Sequence, residues 1–380
     1  MSSDIYLILT LSFILWLSPF VAKFIKLPIP VVEIITGSLL ATFEVIHKNE
    51  YFDLIAEVGF LYLMFLAGLE VNLKTLFNAP SRLIKKGFIY ILIMGILAII
   101  FGYLLNLNVI FIISIPLISI GLLASLAKTY GKRAKWLHYA FIIGVLGEIV
   151  SIVTLTILDA ASEVGFSIKL VEKLSILFAF IFLIVILYKA LDLLFWYYPE
   201  LKEKLMPKYS DSEQDIRLSM ALFFLLIVVM IWLHLELALG AFIAGVAISA
   251  FFHHKLELEE KMSSFGFGLL VPLFFIHVGT TFDLNAITLP GVFKDALLIT
   301  ILSITAKVFP GFMLKEFMKE KDIIIMALSL SMPLTLLVAV ATIGYNMEYI
   351  TFLHYNSLIL AAILEIFIAM SLIKILIKLK

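Results

Sequence analysis

Apolar runs long enough to cross a bilayer follow one another from residue 5 to residue 376, and only Pro199–Asp215 forms a polar interruption of any length. A span needs roughly 20 apolar residues. In lipid each backbone N–H and C=O must be satisfied within its own segment, so such runs fold as helices. Thirteen spans are predicted, near 5–22, 28–45, 54–70, 87–105, 109–127, 136–158, 170–197, 216–234, 238–252, 262–281, 293–314, 322–344 and 352–376. Composition agrees: 63% of residues are hydrophobic, 15% are charged and mean hydropathy is +1.13. A soluble domain could not bury that much apolar surface. The absence of cysteine excludes disulfides, thiol catalysis and thiolate metal sites, and a net charge of zero gives no basis for nucleic-acid binding. The first run lacks a basic leader and a small-residue cleavage site, so it is read as a retained helix. No hydrophilic stretch in these residues is long enough for a nucleotide-binding soluble domain.

The distribution of positive charge orients the spans. The C-terminal segment and the connections after spans 1, 3, 5, 7, 9 and 11 hold 22 Lys and Arg residues. The other side holds four: Lys48, Lys169, Lys173 and Lys294. Positive residues accumulate on the cytoplasmic side. The expectation is a multi-pass protein of the inner, cytoplasmic membrane, with its N-terminus outside and its C-terminus in the cytoplasm.

The chain is also duplicated at a distance of about 210 residues. Ser114–Leu117 (SIPL) returns as Ser331–Leu334 (SMPL), and Gly147-Glu148-Ile149 returns as Leu364-Glu365-Ile366. Gly37–Ala41 pairs with Gly245–Ser249, and Phe65–Gly68 with Asn72-Leu73 pairs with Phe275–Gly279 with Asp283-Leu284. Spans 1–6 thus match spans 8–13, with span 7 as linker. An offset of seven spans, an odd number, gives the two copies opposite topology. Inverted repeats place a transporter's site near the membrane midplane, where interrupted helices meet.

Three charges fall near span centres: Glu148, Lys307 and Glu365. A charge at that depth costs about 2.5–3.5 kcal/mol on insertion scales. Each is either half of a buried pair that fixes helix packing or a transport residue. Pro116 and Pro333 are expected to break spans 5 and 12, because proline removes a backbone donor and frees a carbonyl one turn earlier. Ser114, Ser119, Ser331 and Thr335 place hydroxyls beside those breaks, where they serve either as cation ligands or as bonds back to their own helix. Gly147, beside Glu148, leaves backbone and space for an ion. His277 in span 10 is read as a neutral ring on a backbone carbonyl, with a pH sensor as the alternative. His47, His234, His253, His254 and His354 sit at span ends. Glu70 and Asp283 close spans 3 and 10, Glu33 is placed near the interface, and Asp192 is expected to snorkel or to pair with Lys189. No nucleotide-binding, hydrolase, metalloprotease or potassium-filter motif is present, so neither an enzyme nor a cofactor is expected.

Several segments resemble the monovalent cation:proton antiporters of the Kef/NapA group. They are Leu27-Pro28-Ile29-Pro30 with Glu33 and Gly37, LYLMFLAGLEVNL over 61–73, GAFIAGVAIS over 240–249 and PLFFIHVGTTFDL over 272–284. The resemblance implies an all-α membrane fold with two inverted six-helix repeats and crossed discontinuous helices. It implies dimer-forming helices in 1–86 and 216–290, core helices in 87–160 and 291–380, a linker in 161–215, and a homodimer in the bilayer. Glu148 then matches the family's ion-binding Asp, with Gly147 where the family carries a polar neighbour, and Lys307 matches its basic residue. The function expected from these residues and this resemblance is exchange of Na+ or K+ for protons. Glu148 takes cation or proton in competition, Ser119 adds an oxygen, and Lys307 and Glu365 compensate charge or carry protons. A cation channel and a non-transporting sensor subunit are the alternatives.

Overall fold

The computed structural model describes residues 2–25, 27–46, 49–71, 79–123, 126, 130, 134–164, 168–201, 213–252, 256–282 and 284–378. Several residues singled out above lie outside these: Asn72-Leu73, Asp283, His47, His253 and His254, and the basic residues at 26, 48, 74, 128, 132, 133, 202, 204, 208, 255 and 380. The described residues are overwhelmingly helical and contain no strand.

All thirteen expected spans have a helical counterpart. Spans 1 to 4 are Ser2–Ile25, Ile29–Thr42, Glu50–Glu70 and Ser81–Leu105. Span 5 begins with a short helix, Val109–Ser114. Spans 6 to 9 are Lys135–Val164, Ile168–Tyr197, Gln214–Leu233 and Leu237–Phe252. Span 10 joins Leu256–Phe265 to Val271–Thr281, and span 11 is Val292–Gly311. Span 12 is Glu320–Ser329 followed by Leu334–Asn346, and span 13 is Phe352–Lys378. Among the described residues nine helices are long and apolar enough to cross a membrane alone. The two halves of span 12 meet at a bend of 46° and together are long and apolar enough for a tenth, while spans 2 and 9 are shorter apolar helices.

The breaks fall where proline predicts them. In span 5 the helix stops at Ser114, turns through Ile115-Pro116 and is non-helical over Leu117–Ile120. Asn108 holds the start of this half-helix. Its Oδ1 accepts from the Ile110 amide and its Nδ2 donates to the Tyr349 carbonyl at 2.7 Å. A third irregularity has no forecast in the proline count: span 10 passes through a π-helical turn, Gly266–Leu270, ahead of Pro272. Proline at that point has no N–H for the carbonyl one turn earlier, and a wider turn accommodates the loss.

The chain divides into two compact units. One comprises Met1–Gly59, Ala79–Ser151 and Gly268–Lys380; the other comprises Phe60–Asn78 and Ile152–Phe267. In the first, spans 2 and 10 cross with their backbones touching. A Cβ on Gly37 would lie 2.1 Å from the Ile276 carbonyl oxygen, and one on Gly279 would lie 2.1 Å from that of Ile34. Ser38 closes the crossing by donating to the Phe282 carbonyl at 2.6 Å. In the second unit spans 3 and 9 make the same kind of contact. A Cβ on Gly68 would meet the Phe242 carbonyl oxygen at 2.1 Å and one on Gly245 would meet that of Phe65 at 2.1 Å, while Ser249 donates to the Val71 carbonyl at 2.8 Å. The duplication pairs Gly37 with Gly245 and Gly68 with Gly279, so one crossing is made twice by related residues. Small residues at the seam let helices approach where burial from water supplies no drive.

Gly37→Ala or Gly279→Ala is therefore expected to force the two backbones apart, at a cost of about 1–3 kcal/mol or more. Gly95 has nothing within 4 Å of its Cβ direction, so Gly95→Ala is the control. Thermal unfolding in detergent should show a lower midpoint for the first two variants and an unchanged one for Gly95→Ala.

Candidate functional site

The site is built on the interrupted stretch of span 5. Residues 115–120 leave the helix at membrane depth, so their backbone groups need partners from other helices. Three are supplied by polar side chains. The Ile115 carbonyl accepts from the Lys307 ammonium of span 11 at 3.1 Å. The Ile118 amide donates to the Ser151 hydroxyl of span 6 at 2.9 Å. The Ile120 amide donates to Oε2 of Glu148, also on span 6. Glu148 and Ser151 stand three residues apart, on one helix face, and that face meets the break.

Glu148 is fully buried. Its second carboxyl oxygen, Oε1, accepts from the Ser119 hydroxyl at 3.3 Å. Gly144, one turn earlier, lets both breaks close on span 6: a Cβ there would touch Ile120 of span 5 and Leu330 of span 12. The interrupted segments of spans 5 and 12 thus meet beside the turn that carries Glu148. Gly147 behaves otherwise than the sequence reading has it. Its face is filled by Ile118, whose Cδ1 would lie 2.5 Å from an added Cβ. The missing side chain accommodates the packed break and leaves no space for an ion there.

Lys307 is also fully buried. Besides the Ile115 carbonyl, its ammonium donates to the Ser303 hydroxyl one turn earlier on span 11. Its backbone carbonyl accepts from the buried Tyr90 hydroxyl of span 4 at 2.9 Å. Glu365 is fully buried on span 13, which packs on span 11. The two charges thus sit on neighbouring helices, and no ion pair joins them. Ser151, Ser303 and Tyr90 were missed. Helical spacing offers a signal for the first two, since each sits three or four residues from a midplane charge on the same face; nothing local marks Tyr90.

The other hydroxyls divide. Ser114 donates back to the Ile110 carbonyl at 2.7 Å and Ser331 to the Ala327 carbonyl at 2.8 Å. Both therefore satisfy their own helices, while Ser119 faces the carboxylate. Thr335 is buried in the first turn after the span 12 break, just beyond Pro333. His277 does not sit on a backbone carbonyl: its Nε2 meets Oδ1 of Asp53 at 2.8 Å, and its ring packs edge-on against Phe52. The carboxylate is reached because the crossing of spans 2 and 10 brings span 10 beside the start of span 3. Glu33 is enclosed by protein. It is 2% exposed and accepts from the Ser18 hydroxyl of span 1 at 3.1 Å. Span 2 starts only at Ile29, behind Pro28, and its second turn packs against span 1. Glu70 ends span 3, His234 caps span 8 in a left-handed conformation, and Asp192 is exposed.

Ser151→Ala is expected to leave the Ile118 amide buried without an acceptor, a loss of about 1–3 kcal/mol. The thermal midpoint should fall, and Ser151→Thr, which keeps the hydroxyl, should recover most of the loss. An unchanged midpoint in Ser151→Ala would remove this bond from the account of the break.

Comparison with known proteins agrees with this architecture. Residues 8–379 match the family model described as "Sodium/hydrogen exchanger, transmembrane". YjbQ of Bacillus subtilis, provisionally named a Na(+)/H(+) antiporter, is 27% identical over 382 residues, covering 92% of this chain. The chain spans 59% of that relative's length. A protein of Enterococcus hirae named Na(+)/H(+) antiporter is 26% identical over 309 residues, 77% of this chain and 76% of that protein. The solved structure of the sodium proton antiporter MjNhaP1 from Methanocaldococcus jannaschii at pH 8 superposes with a TM-score of 0.72 at 18% identity, covering 99% of each chain. That likeness shows the fold. On the family match over nearly its whole length, the chain belongs to the transmembrane sodium/hydrogen exchanger family.

Proposed function

We propose that this chain exchanges a monovalent cation for protons across the cytoplasmic membrane by alternating access, with Glu148 as the group that both compete for. The observation that carries the reading is the setting of Glu148: a fully buried carboxylate whose two oxygens face the hydroxyl and amide of an interrupted helix. One carboxylate can hold a proton or a dehydrated cation, and not both. Competition alone then couples the fluxes, because each conformational return requires one of the two ligands to neutralise the buried charge. Hard cations favour oxygen ligands; Ser119 and the backbone oxygens of residues 116–119 are the ones at hand. Sodium is the first candidate, on the names of the relatives, and potassium is the second.

In this reading helices within 87–160 and 291–380 form a moving core, those within 1–86 and 216–290 form the dimer side, and Ile168–Tyr197 links the two inverted repeats. The protein works as a homodimer with its C-terminus in the cytoplasm. A single competing carboxylate gives one cation for one proton. Such a cycle moves no net charge.

In proteoliposomes, Glu148→Gln should reduce sodium-driven proton flux to the level of empty vesicles while the protein remains folded. Glu148→Asp should keep exchange with altered cation affinity, since charge is retained and reach is lost. Flux with the voltage clamped by an ionophore should be the same at zero and at imposed potentials. Substantial cation-dependent flux in folded Glu148→Gln would overturn the assignment. Large uncoupled currents would point to a channel instead.

A further inference from the structure

The part of span 6 that carries Glu148 has glycine at two places, Gly144 and Gly147, and both are filled by side chains from other segments. On an α-helix a side chain leans toward the N-terminus, so Glu148 extends over the turn that holds Gly144. A Cβ on Gly144 would lie 2.7 Å from Ile120 Cγ2, 3.1 Å from Leu330 Cδ2 and 3.3 Å from Leu123 Cδ1. One on Gly147 would lie 2.5 Å from Ile118 Cδ1. All four aliphatic side chains are fully buried. Three come from the interrupted stretch of span 5 and the residues just after it, and Leu330 comes from the end of the first half of span 12. Together they form an apolar collar beside the carboxylate. The duplication does not repeat the glycines: the offset that carries Glu148 to Glu365 carries Gly144 to Ala361 and Gly147 to Leu364.

The collar is held in place. Ile118 and Ile120 are β-branched and stiff at χ1. Their amides are fixed on the Ser151 hydroxyl and on the Glu148 carboxylate. The Leu330 amide donates to the Met326 carbonyl at 3.1 Å, and the amide and hydroxyl of Ser331 donate to the Leu328 and Ala327 carbonyls. Such walls have two consequences for a cation at Glu148. They offer no oxygen, so the cation sheds its water on that side and relies on Glu148, Ser119 and the backbone of the break. They also yield little, because a close-packed interior resists added volume, and potassium is a larger ion than sodium.

We propose that Leu330 is a specificity-determining residue of the exchanger: with Ile118 and Ile120 it bounds the space at the Glu148 carboxylate, so that sodium is accommodated and potassium is rejected on size. The inference rests on the reading of Glu148 as the exchanging acid and assigns the cation of that site. Leu330 is the informative member of the collar because its side chain reaches the site from span 12, while its backbone takes no part in the span 5 break that Glu148 grips. Truncating it enlarges the space and admits water without removing a cation ligand. Both effects weaken discrimination between the two ions.

The test is proton flux driven by sodium and by potassium in proteoliposomes of the full chain, read as the ratio of half-saturating concentrations, potassium over sodium. In the wild type the ratio should exceed about ten, the equivalent of one overpacking penalty, or potassium should drive no flux. Leu330→Ala should lower the ratio about tenfold or gain potassium-driven flux, and Leu330→Met, which conserves volume, should keep the wild-type value. A residue that only packs helices would weaken exchange of both cations in step. A wild-type ratio near one, or a ratio that folded Leu330→Ala leaves unchanged, therefore overturns the inference. Should Leu330→Ala not fold, Leu330→Val decides on the same ratio: a fall of about twofold or more, as the smaller truncation implies, supports the inference, and an unchanged ratio overturns it. Glu148→Gln is the separate control. Sodium-driven flux in folded Glu148→Gln refutes the reading of Glu148 itself, whereas a silent Glu148→Gln beside an unchanged ratio in Leu330→Ala refutes only the size limit.

Discussion

A stretch of backbone that leaves its helix inside a membrane has nowhere to place its polar groups except on other side chains. Here that stretch is Leu117–Ile120 with the turn before it, and three buried residues take it up. Lys307 holds the Ile115 carbonyl, Ser151 the Ile118 amide and Glu148 the Ile120 amide. The charges that would be a liability in lipid are thereby made structural partners of the broken helix. The same contacts make the break responsive to what Glu148 holds, because the acid that would bind the ion is itself a ligand of the backbone. Span 6 supplies two of the three grips from one face, and the small residue at Gly144 lets the second break, in span 12, reach the same place.

The scaffold around this site relies on close approach of helices. The crossings of spans 2 and 10 and of spans 3 and 9 bring backbone against backbone at glycine, and a serine hydroxyl completes each. Such seams are stiff, since no flexible side chain separates the helices and carbonyl oxygens fill the glycine positions. Stiff pairs of helices suit a protein whose proposed cycle moves groups of helices as bodies. Spans such as Ile168–Tyr197 carry exposed apolar side chains, among them Phe178, Phe182 and Leu183, as a lipid-facing surface requires.

Much of this was legible in the sequence, for reasons that differ by feature. Span positions follow from length and hydropathy alone, because the bilayer imposes both. Pro116 and Pro333 marked the breaks because the missing amide acts locally. Glu148, Lys307 and Glu365 stood out because a charge at midplane needs a reason, and all three are fully buried. What failed depends on packing between distant segments. Glu33 looked solvated by its place near a helix start, yet span 1 packs on span 2 and buries it against Ser18. Gly147 looked like room for an ion, yet Ile118, 29 positions earlier in the chain, fills it. His277 was given a backbone partner, whereas a helix crossing delivered Asp53.

The central claim is that one carboxylate serves both ions, and binding linkage tests it most directly. Sodium affinity of the purified protein, measured across a series of pH values, should weaken by about tenfold for each unit of pH on the acid side, the slope for one proton displaced by one cation. In Glu148→Gln the sodium site should be gone at every pH. A sodium affinity that does not change with pH, or one that changes by about a hundredfold per unit as two displaced protons require, would contradict the account.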